Sequence, residues 1–204
     1  MVVAEAALRG GADVIQLREK QLTDTELLDR TLKLRQLTRK HDALLIINDR
    51  ADIALLSDAD GVHVGLEDLP VAEVRRIVGP HRLIGATVHS IEEAKKTIDE
   101  RPDYLGVGPM FASSTKPAVP VNGPALLHRI HEEMLKCGVG IPLVAIGGIA
   151  SSNVDELRLP TLSEHCPVAI AVSQAVIGSD RPEDATRQLK SKLEQRMVAH
   201  DNIA

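Results

Sequence analysis

The sequence predicts an α/β protein built on a parallel sheet, and three observations carry that expectation. Seven short apolar runs of strand length recur along the 204 residues, at 13–17, 43–48, 61–64, 83–87, 104–107, 143–146 and 168–172. Between them lie segments with helical periodicity, at 24–41, 52–57, 70–78, 91–99, 124–136, 153–159 and 182–197. Strands that are apolar throughout, rather than alternating, belong to a sheet covered by helices, and strict β/α alternation supplies those helices as crossovers.

Each element has its own local signal. Residues 1–9 are rich in alanine and stop at Gly10-Gly11, which reads as the end of a helix. The strand at 13–17 empties into Arg18-Glu19-Lys20, and the strand at 43–48 into Asp49-Arg50. GVHV at 61–64 leads to Gly65-Leu66-Glu67-Asp68, and the following helix begins at Pro70 and stops at Gly79-Pro80. The strand at 83–87 is followed by His89-Ser90, and the one at 104–107 by Gly108-Pro109 and a loop of small hydroxyl residues closed by Lys116. Gly147-Gly148 ends the strand at 143–146, and Ser173 follows the last. The final helix places Ala185, Leu189, Leu193 and Met197 on one side.

Two architectures fit this alternation. A doubly wound open sheet concentrates its phosphate glycines in the first βα turn, as GxGxxG. Here nearly every strand ends in polar or glycine-rich sequence, the pattern of a barrel whose active site is assembled from all the βα loops. The expected fold is therefore a (β/α)8 TIM barrel with its first β-strand missing, because only seven strands are visible and the chain starts in a helix. Either Met1 is a truncated start or the barrel is open between its first and last strands.

Composition narrows the function. Apolar residues make up 44% and charged residues 26%, with no long uncharged apolar run, so no membrane span is expected. Glu5 interrupts any signal-like segment, and a cytoplasmic enzyme follows as the expectation. No Pro/Gly/Ser-rich linker divides the chain, so residues 1–204 are expected to form one domain. Cys137 and Cys166 lack a CxxC and read as reduced structural thiols. A net charge of −5, with Tyr104 and Phe111 the only aromatics, is a poor composition for gripping nucleic acid. The expected partner is a phosphorylated small molecule held by local positive charge, with no nucleic acid and no membrane; assembly into a homo-oligomer stays open.

Residues 103–116 are the stretch around which the rest is arranged. Main-chain N–H groups, the hydroxyls of Ser113, Ser114 and Thr115, and the Lys116 ammonium are suited to converge on phosphate oxygens. Arg18 and Lys20 alternate, so in extended chain they point to one side, where a guanidinium fork and a point charge grip a diphosphate; the bland alternative is a solvated turn. Asp49 lies at a catalytic-face position or caps the next helix, and Asp68 carries the same ambiguity. Taken together, these two carboxylates suit one Mg2+, a hard cation that takes one or two protein carboxylates plus phosphate oxygens. His63 reads as a packing residue, and His89 as a candidate for acid/base work. Gly148 and Ser173, on late strands with Val172, suit a monophosphate.

With these loops in view, the chain resembles the thiamine-phosphate synthase family from Gly10 to about Arg187. GGADVIQLREK, LLIINDRADIAL, ADGVHVGLEDLP, DYLGVGPMFASSTK, IPLVAIGGI and AIAVSQAV carry the resemblance, in the family's order. It implies a barrel enzyme that joins 4-amino-2-methyl-5-(diphosphooxymethyl)pyrimidine to a thiazole phosphate. Carried over by motif, Gln16, Leu17, Arg18, Glu19, Lys20, Asn48, Thr87 and Lys116 hold the pyrimidine diphosphate, with Arg18, Lys20, Thr87 and Lys116 acting in catalysis. Asp49 and Asp68 hold Mg2+. Ser113, Ser114, Thr115, Gly148, Val172 and Ser173 hold the thiazole phosphate. Leu66 stands where the family usually has Gln, Thr87 where it has Ser, and Ser113 where it has Thr. Two alternatives accompany this expectation: a thiazole-tautomerase-like isomerase using His89, and a barrel that binds a phosphorylated ligand without catalysis.

Overall fold

The computed structural model describes residues 1–112, 121, 123–159 and 166–201, with side chains of 196–201 left aside. Seven parallel strands form one sheet in chain order: β1 (Val14–Leu17), β2 (Leu44–Asn48), β3 (Gly61–Val64), β4 (Leu83–Val88), β5 (Tyr104–Val107), β6 (Leu143–Ile146) and β7 (Val168–Ala171). The helices are α1 (Val2–Arg9), α2 (Asp24–Lys40), α3 (Ala51–Leu56), α4 (Val71–Val78), α5 (Ile91–Asp99), α6 (Gly123–Lys136), α7 (Gln174–Ile177) and α8 (Pro182–Asp201). This is a TIM-barrel-like α/β fold, and all seven expected strands are present within a residue of their expected ends.

Two elements differ from expectation. Residues 153–159 hold a 3-10 turn, Val154–Leu157, instead of an α-helix. The Asn153 side chain explains this: its Oδ1 accepts from Ala150 N–H at 2.8 Å and its Nδ2 donates to Gly148 O at 2.9 Å, a local loop that competes with helical pairing. The four-residue α7 is too short for any periodic signal.

Alternation along each strand sorts the side chains. Leu45 and Ile47, Val62 and Val64, Ile84 and Val88, and Leu105 and Val107 are at most 2% exposed, and they form one cluster with buried helix residues such as Leu34, Val74, Ala94 and Leu127. The core therefore sits between sheet and helices. The opposite strand positions, among them Gln16, Asn48, His63, Thr87 and Tyr104, line the inside. Strand register sets His63 beside Gly85 and Gly85 beside Tyr104, with Thr87 beside Gly106.

At the N-terminal rim, an aspartate just before a strand ties three elements together. Asp60 accepts both guanidinium arms of Arg35 from α2, at 2.6 and 3.0 Å, and the Leu45 N–H of β2 at 2.7 Å. Asp103 repeats the device with Arg75 of α4 at 2.5 Å and Ile84 N–H of β4 at 2.7 Å.

Of the two sequence expectations about closure, the structure answers the geometric one. β1 and β7 end the sheet and do not pair with each other, and no strand among the described residues lies between them. Val14, Gln16, Ala169 and Ala171 are accordingly exposed. The helical layer does close there. Gly10 passes so near α8 that a Cβ on it would lie 2.4 Å from Glu183 O. Arg9 Nε meets Glu183 Oε2 at 2.9 Å, and Lys190 Nζ meets Asp13 Oδ1 at 2.7 Å and Gly11 O at 2.8 Å.

Candidate active site

The C-terminal ends of β1, β2 and β3 bring three charged groups together. Lys20, beyond β1, forms an ion pair with the Asp49 carboxylate. Asp49 follows β2 in a left-handed conformation (φ 62°), held there by its N–H donating to His63 O at 2.8 Å. Asp68, after β3, comes within hydrogen-bonding reach of Asp49, and its Oδ2 accepts Gly65 N–H at 2.7 Å. Neither acid serves as a helix cap: the N-cap positions of α3 and α4 are Arg50 and Pro70, both without a side-chain capping bond. The two carboxylates instead face each other.

Their pKa values move in opposite directions. Burial pushes both acids upward. For Asp49 that effect is outweighed by hydrogen bonds from Lys20 and Asp68 and by the charges of Lys20 and Arg18, so its pKa ends below the ordinary aspartate range. Asp68 ends above it, through burial and then the adjacent Asp49, against the Gly65 N–H. A hard dication fits such a donor set. Among the described residues no three His, Cys, Asp or Glu side chains gather, so the protein offers two carboxylates and leaves further positions to water or phosphate oxygens.

The other expected residues fall into groups. Gln16 and Asn48 lie on inward strand positions near this cluster, whereas the Leu17 side chain is buried in the core and Glu19 turns to Arg30 at 2.5 Å. Thr87 lies on β4 with its Oγ1 2.8 Å from His63 Nε2. Gly147 and Gly148 both have positive φ, 90° and 68°. A Cβ at Gly148 would stand 2.5 Å from Phe111 O, so only glycine fits this close approach. Val172 and Ser173 follow β7, where the Ser173 carbonyl accepts from Val176 and Ile177 N–H. Ser113, Ser114, Thr115 and Lys116 lie outside the described residues.

His63 is buried and hydrogen-bonded, in keeping with its reading as a packing residue, but the partners it joins are what sequence reasoning missed. It bonds through both ring nitrogens, to Thr87 and to the Tyr104 hydroxyl at 3.0 Å. The available signal was a glycine in each of two neighbouring strands, Gly85 and Gly106, which leave room inside for rings. His89, the candidate for acid/base work, has ring Nδ1 2.5 Å from Gly108 O, and its main-chain N–H donates to Glu93 Oε2 at 2.6 Å.

Parallel strands ringed by helices, with charged and small residues gathered at the strand C-termini, define an α/β-barrel enzyme. A family profile described as thiamine monophosphate synthase matches residues 1–176. The chain is 42% identical over 191 residues to a thiamine-phosphate synthase of Chloroflexus aurantiacus, covering 93% of this chain and 83% of that one. It is 46% identical over 162 residues to one from Caldanaerobacter subterraneus subsp. tengcongensis, covering 78% and 73%. Among solved structures, thiamine phosphate pyrophosphorylase from Pyrococcus furiosus superposes with a TM-score of 0.79 at 37% identity, over 95% of this chain and 89% of that one. The chain belongs to the thiamine-phosphate synthase family, and its activity is thiamine-phosphate synthesis. The isomerase and non-catalytic alternatives are thereby set aside.

Proposed function

We propose that this chain joins 4-amino-2-methyl-5-(diphosphooxymethyl)pyrimidine to a thiazole phosphate at the C-terminal ends of its strands, releasing diphosphate. The convergence of Lys20, Asp49 and Asp68 from three successive loops carries this reading, because the reaction's main demand is to neutralise a departing diphosphate. The C–O bond breaks with its electron pair on diphosphate oxygen. A pyrimidine methylene cation remains, stabilised by the ring amino group, and the thiazole nitrogen forms the new C–N bond. Charge neutralisation and positioning govern such a step, with little demand for a general base.

Arg18, Lys20 and Lys116 neutralise the leaving group, and Gln16, Asn48 and Thr87 orient the pyrimidine diphosphate. Leu17 and Glu19, whose side chains point elsewhere, take part through the backbone that sets their neighbours. Asp49 and Asp68 hold Mg2+, which supplies positive charge at the diphosphate when bound. Ser113, Ser114, Thr115, Gly148, Val172 and Ser173 hold the thiazole phosphate. A single domain over residues 1–204 and a cytoplasmic location belong to the same proposal; no helix among the described residues is long and apolar enough to cross a membrane. Incubation with both substrates and Mg2+ should give thiamine phosphate and an equal amount of diphosphate, and little of either without Mg2+. Binding of both substrates with no product would sink the proposal.

A further inference from the structure

We infer that His63 and Tyr104 are positioning residues that fix the Thr87 hydroxyl as a hydrogen-bond donor toward the substrate; this rests on the placement of Thr87 in the pyrimidine diphosphate site. Three observations lead there. The first is the geometry: Tyr104 hydroxyl to His63 Nδ1 at 3.0 Å, and His63 Nε2 to Thr87 Oγ1 at 2.8 Å, form one continuous chain across β5, β3 and β4.

The second is that the strands are emptied to admit it. A Cβ at Gly85 would fall 2.0 Å from Tyr104 Cζ, and one at Gly106 would fall 3.0 Å from His63 Cε1. The Tyr104 ring therefore reaches His63 across a strand that carries no side chain at that point, and the two rings lie 5.4 Å apart between centroids.

The third is the direction of the protons. Burial first, and then the adjacent Asp103, keep the Tyr104 phenol protonated far above neutral pH. Among the described residues its O–H has no hydrogen-bond acceptor other than His63 Nδ1, and the pair is part-buried, where a hydroxyl proton left unpaired is costly. Tyr104 therefore donates to Nδ1, which fixes the Nε2–H tautomer. Nε2–H then donates to Thr87 Oγ1, and the Thr87 proton is turned outward. A donor there matches an acceptor-only group, such as a deprotonated diphosphate oxygen, and discriminates against a donor. His63 also fastens Asp49 through its carbonyl, so one residue sets both Thr87 and a carboxylate of the proposed metal pair.

Tyr104→Phe removes only the hydroxyl and leaves the ring in its slot, so it tests the inference without emptying the barrel. The expected result is a fall of about tenfold in kcat/KM for the pyrimidine diphosphate, the worth of one hydrogen bond, with the melting temperature lowered by only a few degrees and KM for the thiazole phosphate unaltered. In a Thr87→Ala background the same substitution should cost nothing further, since its effect runs through Thr87. Nitrogen-15 NMR of the imidazole should report the Nε2–H tautomer in the wild type and its loss of dominance in Tyr104→Phe. An Nδ1–H tautomer in the wild type overturns the inference, as does an unchanged kcat/KM in Tyr104→Phe while Thr87→Ala is impaired; the proposed reaction then still stands. Full activity in Thr87→Ala also overturns it. Wild-type protein that makes no thiamine phosphate is the distinct failure of the reaction proposal, and the tautomer is read independently of turnover.

Discussion

Lys20 and Asp68 hold the Asp49 carboxylate between a cation and a second acid, and little else about the fold depends on that contact. The Lys20 side chain is 55% exposed, so its ion pair contributes little to stability. Asp49→Ala is therefore expected to abolish Mg2+-dependent turnover while moving the urea midpoint only slightly. Activity within a few-fold of wild type would remove Asp49 from the metal site. Lys116→Ala should raise the barrier by about 2 to 3 kcal/mol, the scale of a charge-assisted contact to phosphate. Single-turnover measurement of diphosphate release checks it, and an unchanged rate excludes that lysine. Both carboxylates were legible in the sequence because each follows an apolar strand and precedes a helix. That same placement made capping an equal explanation, which the absence of a side-chain capping bond at either helix removes.

The strands and helices owe their arrangement to signals of unequal strength. The apolar runs of β3, β5 and β6 match the strands end to end, because β-branched and small residues bounded by glycine, proline or aspartate leave few alternatives. The turn at Val154–Leu157 was not legible, since the hydrogen bonds of Asn153 are an equally local competitor to a helix. The aspartate clamps at the lower rim escaped notice for a different reason: each joins residues from three elements, and no local pattern announces that. Their weight can be measured. Asp60→Ala leaves the largely buried Arg35 without its partner and the Leu45 N–H without an acceptor. A loss of about 2 to 4 kcal/mol in urea unfolding is expected, with turnover at permissive temperature retained because the site lies at the other end of the strands. A loss below about 0.5 kcal/mol, the scale of an ordinary surface change, would show the clamp to be incidental.

Across the whole molecule, the sheet is open between β1 and β7 while the helices are not, so α1 and α8 hold the two ends of the fold together. Ala6, Ala7 and Leu8 of α1 are buried, and Arg9–Glu183 and Lys190–Asp13 flank the contact. The hydrogen bond from Arg9 lowers the Glu183 pKa first, followed by the one from Arg187; desolvation opposes them, and the charges of both arginines add to the lowering. A carboxylate lowered in the folded state contributes stability that is fully present above its unfolded value, about 4.3 for glutamate. That contribution disappears as pH falls through the lowered folded value, because the unfolded chain takes up the proton first. Glu183 is partly exposed, so the contribution is modest and weakens with salt. Glu183→Gln keeps the shape of the side chain and removes the titration. Melting temperatures followed from neutral pH down through the carboxylate range should therefore fall less steeply for Glu183→Gln than for the wild type, with the difference shrinking in about 1 M salt. Parallel curves at low salt would mean that apolar packing of α1, rather than this ion pair, closes the helical layer across the open side of the sheet.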